Sequence, residues 1–152
     1  MRKLILMIGL LFFSCITQSQ TLKGFTIGSV YNGETKTEPN GKYNEASIST
    51  TLGGVDGVLT ISVSSKKIIF GMSFLSNEIG SEFLLSHIVN GFKEKLNIDF
   101  TKEENGSYFS MMNGSVISIH LNDEGKLAVI IFNMDLAEKA IKDSLNLQND
   151  DF

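Results

Sequence analysis

The chain has 152 residues, with 13 basic against 17 acidic side chains, one cysteine, one proline and no tryptophan. That length suits one domain with an apolar core. A lone cysteine excludes an internal disulfide framework, and the acidic balance argues against a nucleic-acid surface.

The N-terminus sets the context. Arg2 and Lys3 precede an apolar run from Leu4 to Phe13, followed by small and polar residues up to Gln20. A charged start, a short apolar stretch and small residues behind it form a secretory leader. The run is too short to span a bilayer, which takes about 20 helical residues. The expected division is a signal peptide over 1–19, one α+β domain over 20–147 and a frayed acidic tail over 148–152. The expected destination is periplasmic or extracellular. Cleavage after Ser19 removes Cys15. The alternative is a lipoprotein exit: Phe12-Phe13-Ser14-Cys15 partly resembles a bacterial lipobox, with Phe12 where leucine is usual. Cys15 is then the lipidation candidate and the chain an envelope accessory lipoprotein.

Removing the leader takes away Arg2, the sole arginine, and leaves 11 lysines against 17 acidic residues, a net of −6. Nucleic-acid recognition favours a basic face and arginine forks, and a polybasic membrane patch needs clustered cations. Neither partner class fits.

Beyond the leader, Leu22 to Tyr31 places Phe25, Ile27 and Tyr31 at strand spacing. Asn32 to Lys42 reads as a loop holding Asn32-Gly33, Pro39 and Asn40-Gly41. Tyr43–Leu52, Val58–Val63 and Lys67–Phe74 alternate apolar and polar positions around Gly53–Gly57 and Ser64–Lys66, which are hairpin signatures. The period then changes. From Asn77 or Ser81 onward, Leu84, Leu85, Ile88, Val89, Phe92 and Leu96 form a helical stripe. Gly91 interrupts it, so an end at Asn90 competes with an end near Leu96; the stripe favours Leu96. Asn97 to Gly106 is a polar connection in which Ile98 and Phe100 could start a strand.

The second half repeats the plan. Ser107–Met112 and Ser115–Leu121 flank Asn113-Gly114, a type I′ turn signal. Asn122–Gly125 is the next turn. Lys126–Phe132 is nearly all apolar and reads as a central strand. Asp135 with Glu138 suggests a capping box opening a final helix striped by Leu136, Ala137, Ala140, Ile141 and Leu145. Shifting the chain by 58 lays Val58–Val63 on Val116–Leu121 and Phe74 on Phe132. The overlay suggests a duplicated βββα unit. The expected fold is α+β: an antiparallel sheet of six or seven strands with two helices on one face.

Chemistry is sparse. Ser118 and His120 share a strand face, and Asp123 sits in the following turn. A nucleophilic hydroxyl needs a base within reach and a third group orienting that base. Same-face neighbours two apart sit about 7 Å apart at the backbone, too far for easy contact. Ser118, His120 and Asp123 are therefore weak catalytic candidates, and no Gly-x-Ser-x-Gly elbow supports them. His87 flanks the first helical stripe. No His-x-x-x-His spacing or calcium-loop pattern gives a metal site, and Gly24-x-x-x-Gly28 lies on a strand, where it forms no phosphate loop or other cofactor motif.

Glu103-Glu104 and Asp150-Asp151 read as solvated charge. Asn105-Gly106-Ser107 and Asn113-Gly114-Ser115 match glycosylation sequons but read as turns. Met111-Met112 reads as core, with an adaptable binding surface as the alternative. Thr60 and Ser62, with Ser115, Ser118 and His120, mark a solvent-side face open to a partner. The expectation is an exported, non-enzymatic domain that binds a protein or envelope component. The competing expectation is a secreted hydrolase with a site around His120.

Overall fold

The computed structural model describes residues 21–38 and 41–149, with side chains described only as far as 145. Residues 1–20, 39–40 and 150–152 lie outside the described residues, and with them the expected leader, Cys15 and the end of the acidic tail.

The strands are Thr21–Leu22 (β1), Phe25–Thr26 (β2), Lys36–Thr37 (β3), Asn44–Leu52 (β4), Val55–Val63 (β5), Ile69–Ile79 (β6), Thr101–Lys102 (β7), Tyr108–Met112 (β8), Ser115–Leu121 (β9) and Lys126–Asn133 (β10). Two helices, Glu82–Leu96 (α1) and Met134–Asn149 (α2), follow β6 and β10. The fold is α+β with an antiparallel sheet. It is wider than its sequence suggests: eight strands in the order β3-β4-β5-β6-β10-β9-β8-β7, with β1-β2 as a separate pair. The extra strands are the two-residue β3 and β7, too short for any periodicity to reveal. They form the sheet's two edges, and such short edges blunt strand-to-strand association.

Sequence chemistry explains the joints. Gly53 and Gly54 have φ of 59° and 84°, and Asn113 and Gly114 have φ of 51° and 75°. Two left-handed residues in succession make the tight primed turns that match strand twist. In the β9–β10 turn, Asn122 Oδ1 accepts from Glu124 N and Lys126 N at 3.0 and 2.8 Å. The stretch over 22–31 is not one strand. Positive φ at Lys23, Gly24 and Gly28 breaks it, though Leu22 is buried and Phe25, Ile27 and Tyr31 still pack on the core.

Register fixes the core. Leu59, Ile61 and Val63 of β5, Met72 and Phe74 of β6, Ile117 and Ile119 of β9, and Leu127, Val129 and Ile131 of β10 turn to one face and are buried. Leu85, Ile88, Val89, Phe92 and Leu96 of α1 close that cluster. Each fully buried side chain of this size stabilises by about 1.5–3 kcal/mol. α1 starts at Ser81, whose Oγ accepts from Leu84 N at 3.2 Å, and runs through Gly91 to a left-handed Asn97.

α2 joins a different cluster. Its buried Ala140 and half-buried Leu136 line a small cavity with Ile68 and Phe70. Phe70 occupies the bulge between the Ser62–Gly71 and Val63–Ile69 pairs and meets Tyr43 edge-on at 5.4 Å. None of these α2, Phe70 or Tyr43 side chains belongs to the α1 cluster, so the helices do not share one bed as the sequence suggests. The cap also differs from the sequence reading. Asn133 Oδ1 accepts from Leu136 N at 3.0 Å, while Glu138 pairs with Lys142 at 2.6 Å instead of closing a capping box.

Candidate functional site on the open sheet face

Residues alternating with the core positions form the other face of the sheet. Pairing aligns them in rows across the strands. One row runs Ser49, Val58, Leu75, Ala128, His120; the next runs Ser47, Thr60, Ser73, Ile130, Ser118, Phe109. A third runs Glu45, Ser62, Gly71, Phe132, Val116, Met111. Charged residues make up 20% of the chain, yet the charges in these rows sit at the β3–β4 edge, at Glu45 and its cross-strand partner Lys36. Among its described side chains, Leu136 and Ala140 of α2 pack at the corner beside Ile68 and Phe70. Val58 and Leu75, direct cross-strand partners, remain 37% and 41% exposed.

The structure brings two of the sequence candidates together. Ser118 Oγ and His120 Nδ1 lie 3.4 Å apart. The backbone spacing suggests separation, but side chains lean along the strand and close the gap. Asp123 lines the same shallow depression, about 410 Å³, with Asn105, Ser107 and Asn122. It makes no hydrogen bond to His120, and the imidazole has no second partner among the described residues. The group can donate and accept hydrogen bonds toward a polar ligand. Among the described residues, no third group is hydrogen-bonded to His120 to orient it as a catalytic base.

His87 stands apart, exposed on α1. Among the described residues no three His, Cys, Asp or Glu side chains gather closely enough to hold a metal ion. Met111 and Met112 split: Met112 packs on the core, and Met111 is exposed at the margin of the open face. Asn105 Oδ1 accepts from Ser107 N and Oγ at 3.0 and 2.6 Å, a local turn bond.

Sequence reasoning misses a second concavity. Leu22, Leu52, Gly53, Ile88, Gly91, Phe92 and Leu96 line a half-open cavity of about 170 Å³ between α1 and the tip of the β4–β5 hairpin, with His87 and Lys95 also along it. The one signal for it is Gly91, a helix-weakening residue in the middle of an otherwise regular stripe. Comparison with protein-family models, curated proteins and solved structures finds no match to this chain.

Proposed function

We propose that this is an exported, non-enzymatic α+β domain that binds a protein or cell-envelope component through the open face of its sheet. The observation that carries the reading is the exposed Val58–Leu75 pair within rows nearly free of charge. Such a flat apolar strip, flanked by serine and threonine hydroxyls, can be desolvated without stranding charges. The leader over 1–19 supports export. The acidic, lysine-only composition beyond it disfavours nucleic acid.

The test is crosslinking in the native cell, comparing wild type with a Val58→Glu/Leu75→Glu double variant. A discrete crosslinked partner present with wild type and lost with a folded double variant supports the reading. Equal recovery from both overturns it. Mass spectrometry of the same purified protein reads the mature N-terminus: a start near Gln20 means simple secretion, and a lipidated Cys15 means an anchored lipoprotein.

The Ser118–His120 contact favours one second reading, a secreted hydrolase. Its test is turnover of small esters and amides by wild type and His120→Ala. Activity lost in the variant supports it.

A further inference from the structure

The cavity beside α1 shares no lining residue with the rows of the open sheet face. Its floor is apolar: Leu22, Leu52, Ile88, Phe92 and Leu96. Its rim is cationic or titratable. His87, Gly91 and Lys95 follow each other at helical i, i+4, i+8 spacing, so they form one row along α1. No aspartate or glutamate lines the cavity. Neither Lys95 nor His87 has an ion pair or hydrogen bond among the described residues.

Gly91 adds an independent observation. Glycine weakens a helix interior, so some other demand is expected to hold it there. At Gly53 the demand is visible: a Cβ would fall 2.2 Å from Ile88 Cδ1. At Gly91 a Cβ would meet nothing within 4 Å, and φ is not positive. Packing and backbone conformation therefore leave this glycine unexplained. Its place between His87 and Lys95 on the cavity lining supplies a reason, because a side chain there would stand in the opening.

We propose that this cavity binds a small monocarboxylate, with its apolar body inside and its carboxylate at Lys95 and His87. The size follows from the volume. An apolar cavity of about 150 Å³ admits benzene, so about 170 Å³ takes a body of roughly six to eight carbons. An apolar lining with a few convergent polar groups is the usual form of a small-ligand site. The free ammonium of Lys95 selects for an anionic head and against an amine.

Titration calorimetry of the purified protein with straight-chain carboxylates from butyrate to decanoate tests this. Each methylene that enters the cavity should tighten binding about fourfold, with a plateau once the cavity is full at about six to eight carbons. Octylamine should bind at least tenfold more weakly than octanoate. Lys95→Gln should erase that preference, and Gly91→Leu should abolish binding while unfolding stays cooperative. Binding without chain-length dependence, equal binding of acid and amine, or wild-type binding by Gly91→Leu would each overturn the proposal. So would tighter binding of a short peptide ending in leucine than of the free acid. The Val58→Glu/Leu75→Glu variant should bind octanoate as wild type does, which separates this site from the sheet face.

Discussion

The two halves of the sheet share one plan and end differently. Strands β3 to β6 run inward from one edge and β7 to β10 inward from the other, meeting at the β6–β10 pair. Each half then continues into a helix. In the first half, Gly80 and Ser81 separate β6 from α1, and the helix folds over the common core with five buried residues. In the second half, α2 begins at Met134 directly after β10, capped by Asn133 at the strand's own end. Among its described side chains only Ala140 is fully buried, and Met134, Ile141 and Leu145 stay exposed. Strand order does not dictate what the following helix covers. The link and the cap set its direction, and α1 becomes a structural wall while α2 becomes a corner piece.

The largest effect should come from breaking that contrast directly. Leu85 of α1 is 1% exposed and Ile141 of α2 is 37% exposed. Leu85→Ala should lower stability by about 2–5 kcal/mol, as truncations in a closed core do. Ile141→Ala should cost less than about 1 kcal/mol, since much of its surface is already in water. Urea unfolding of the two variants reads both numbers. Equal losses would mean that α2 is as integral as α1.

A smaller effect sharpens the comparison at one pair of equivalent positions. Gly57 in β5 and Ser115 in β9 both face the core; Ser115 is buried in line with Ile117 and Ile119, not on the solvent side that its sequence suggests. Phe74 takes the space above Gly57, so that a Cβ there would fall 2.5 Å from its ring and 2.3 Å from Leu75 O. Ser115 instead keeps a hydroxyl, which accepts from Asn133 Nδ2 at 3.2 Å and ties β9 to the α2 cap. Gly57→Ala should cost about 1–3 kcal/mol through overpacking. Ser115→Ala should cost about 1 kcal/mol through a lost hydrogen bond. A neutral Gly57→Ala in thermal unfolding would show that the first half relaxes where the packing says it cannot.

The halves also show what was legible in the sequence. Alternation revealed the long strands because one face is buried and the other is not. The helical stripe of α1 was equally plain. The shift of 58 residues aligns Leu59 and Ile61 with Ile117 and Ile119, all fully buried. It fails one strand later. Phe74 is a core residue, whereas Phe132 pairs with Gly71 and Val116 on the other face. The cause is the bulge. Val63 pairs with Ile69 and Leu121 with Leu127, so both turns keep the shift of 58. Ser62 then pairs with Gly71 but His120 with Ala128, and the extra residue Phe70 flips the alignment to the opposite face. The bulge at Phe70, the two-residue edge strands and the destination of α2 left no periodic mark. They depend on contacts far apart in sequence. The Ser118–His120 contact was legible as a shared face but not as a distance. The cavity beside α1 was legible only as an unexplained glycine.

The smallest expected effect divides the halves by pH. In the first half, burial against Phe70 and then the neighbouring Glu45 and Glu38 charges raise the Tyr43 pKa above the usual tyrosine range. The folded chain then holds that proton more tightly than the unfolded chain. Stability is therefore full below about pH 10 and falls as pH rises from there toward the raised folded value. In the second half, Glu124 and Glu138 have lowered pKa values through hydrogen bonds and charge pairing with Lys126 and Lys142. Their contribution is present above the usual glutamate range and is lost as pH falls through about 4 and below. Both glutamates are exposed, so salt screens them and their effect is slight. Tyr43→Phe keeps the edge-on ring contact and removes the titrating hydroxyl. It should flatten the alkaline limb of the melting temperature between pH 9 and about 11 and leave the acid limb unchanged. Glu124→Gln/Glu138→Gln should do the reverse. A Tyr43→Phe variant that keeps the full alkaline loss would assign that limb to the lysines, and the first half would no longer be the side of the sheet that base weakens.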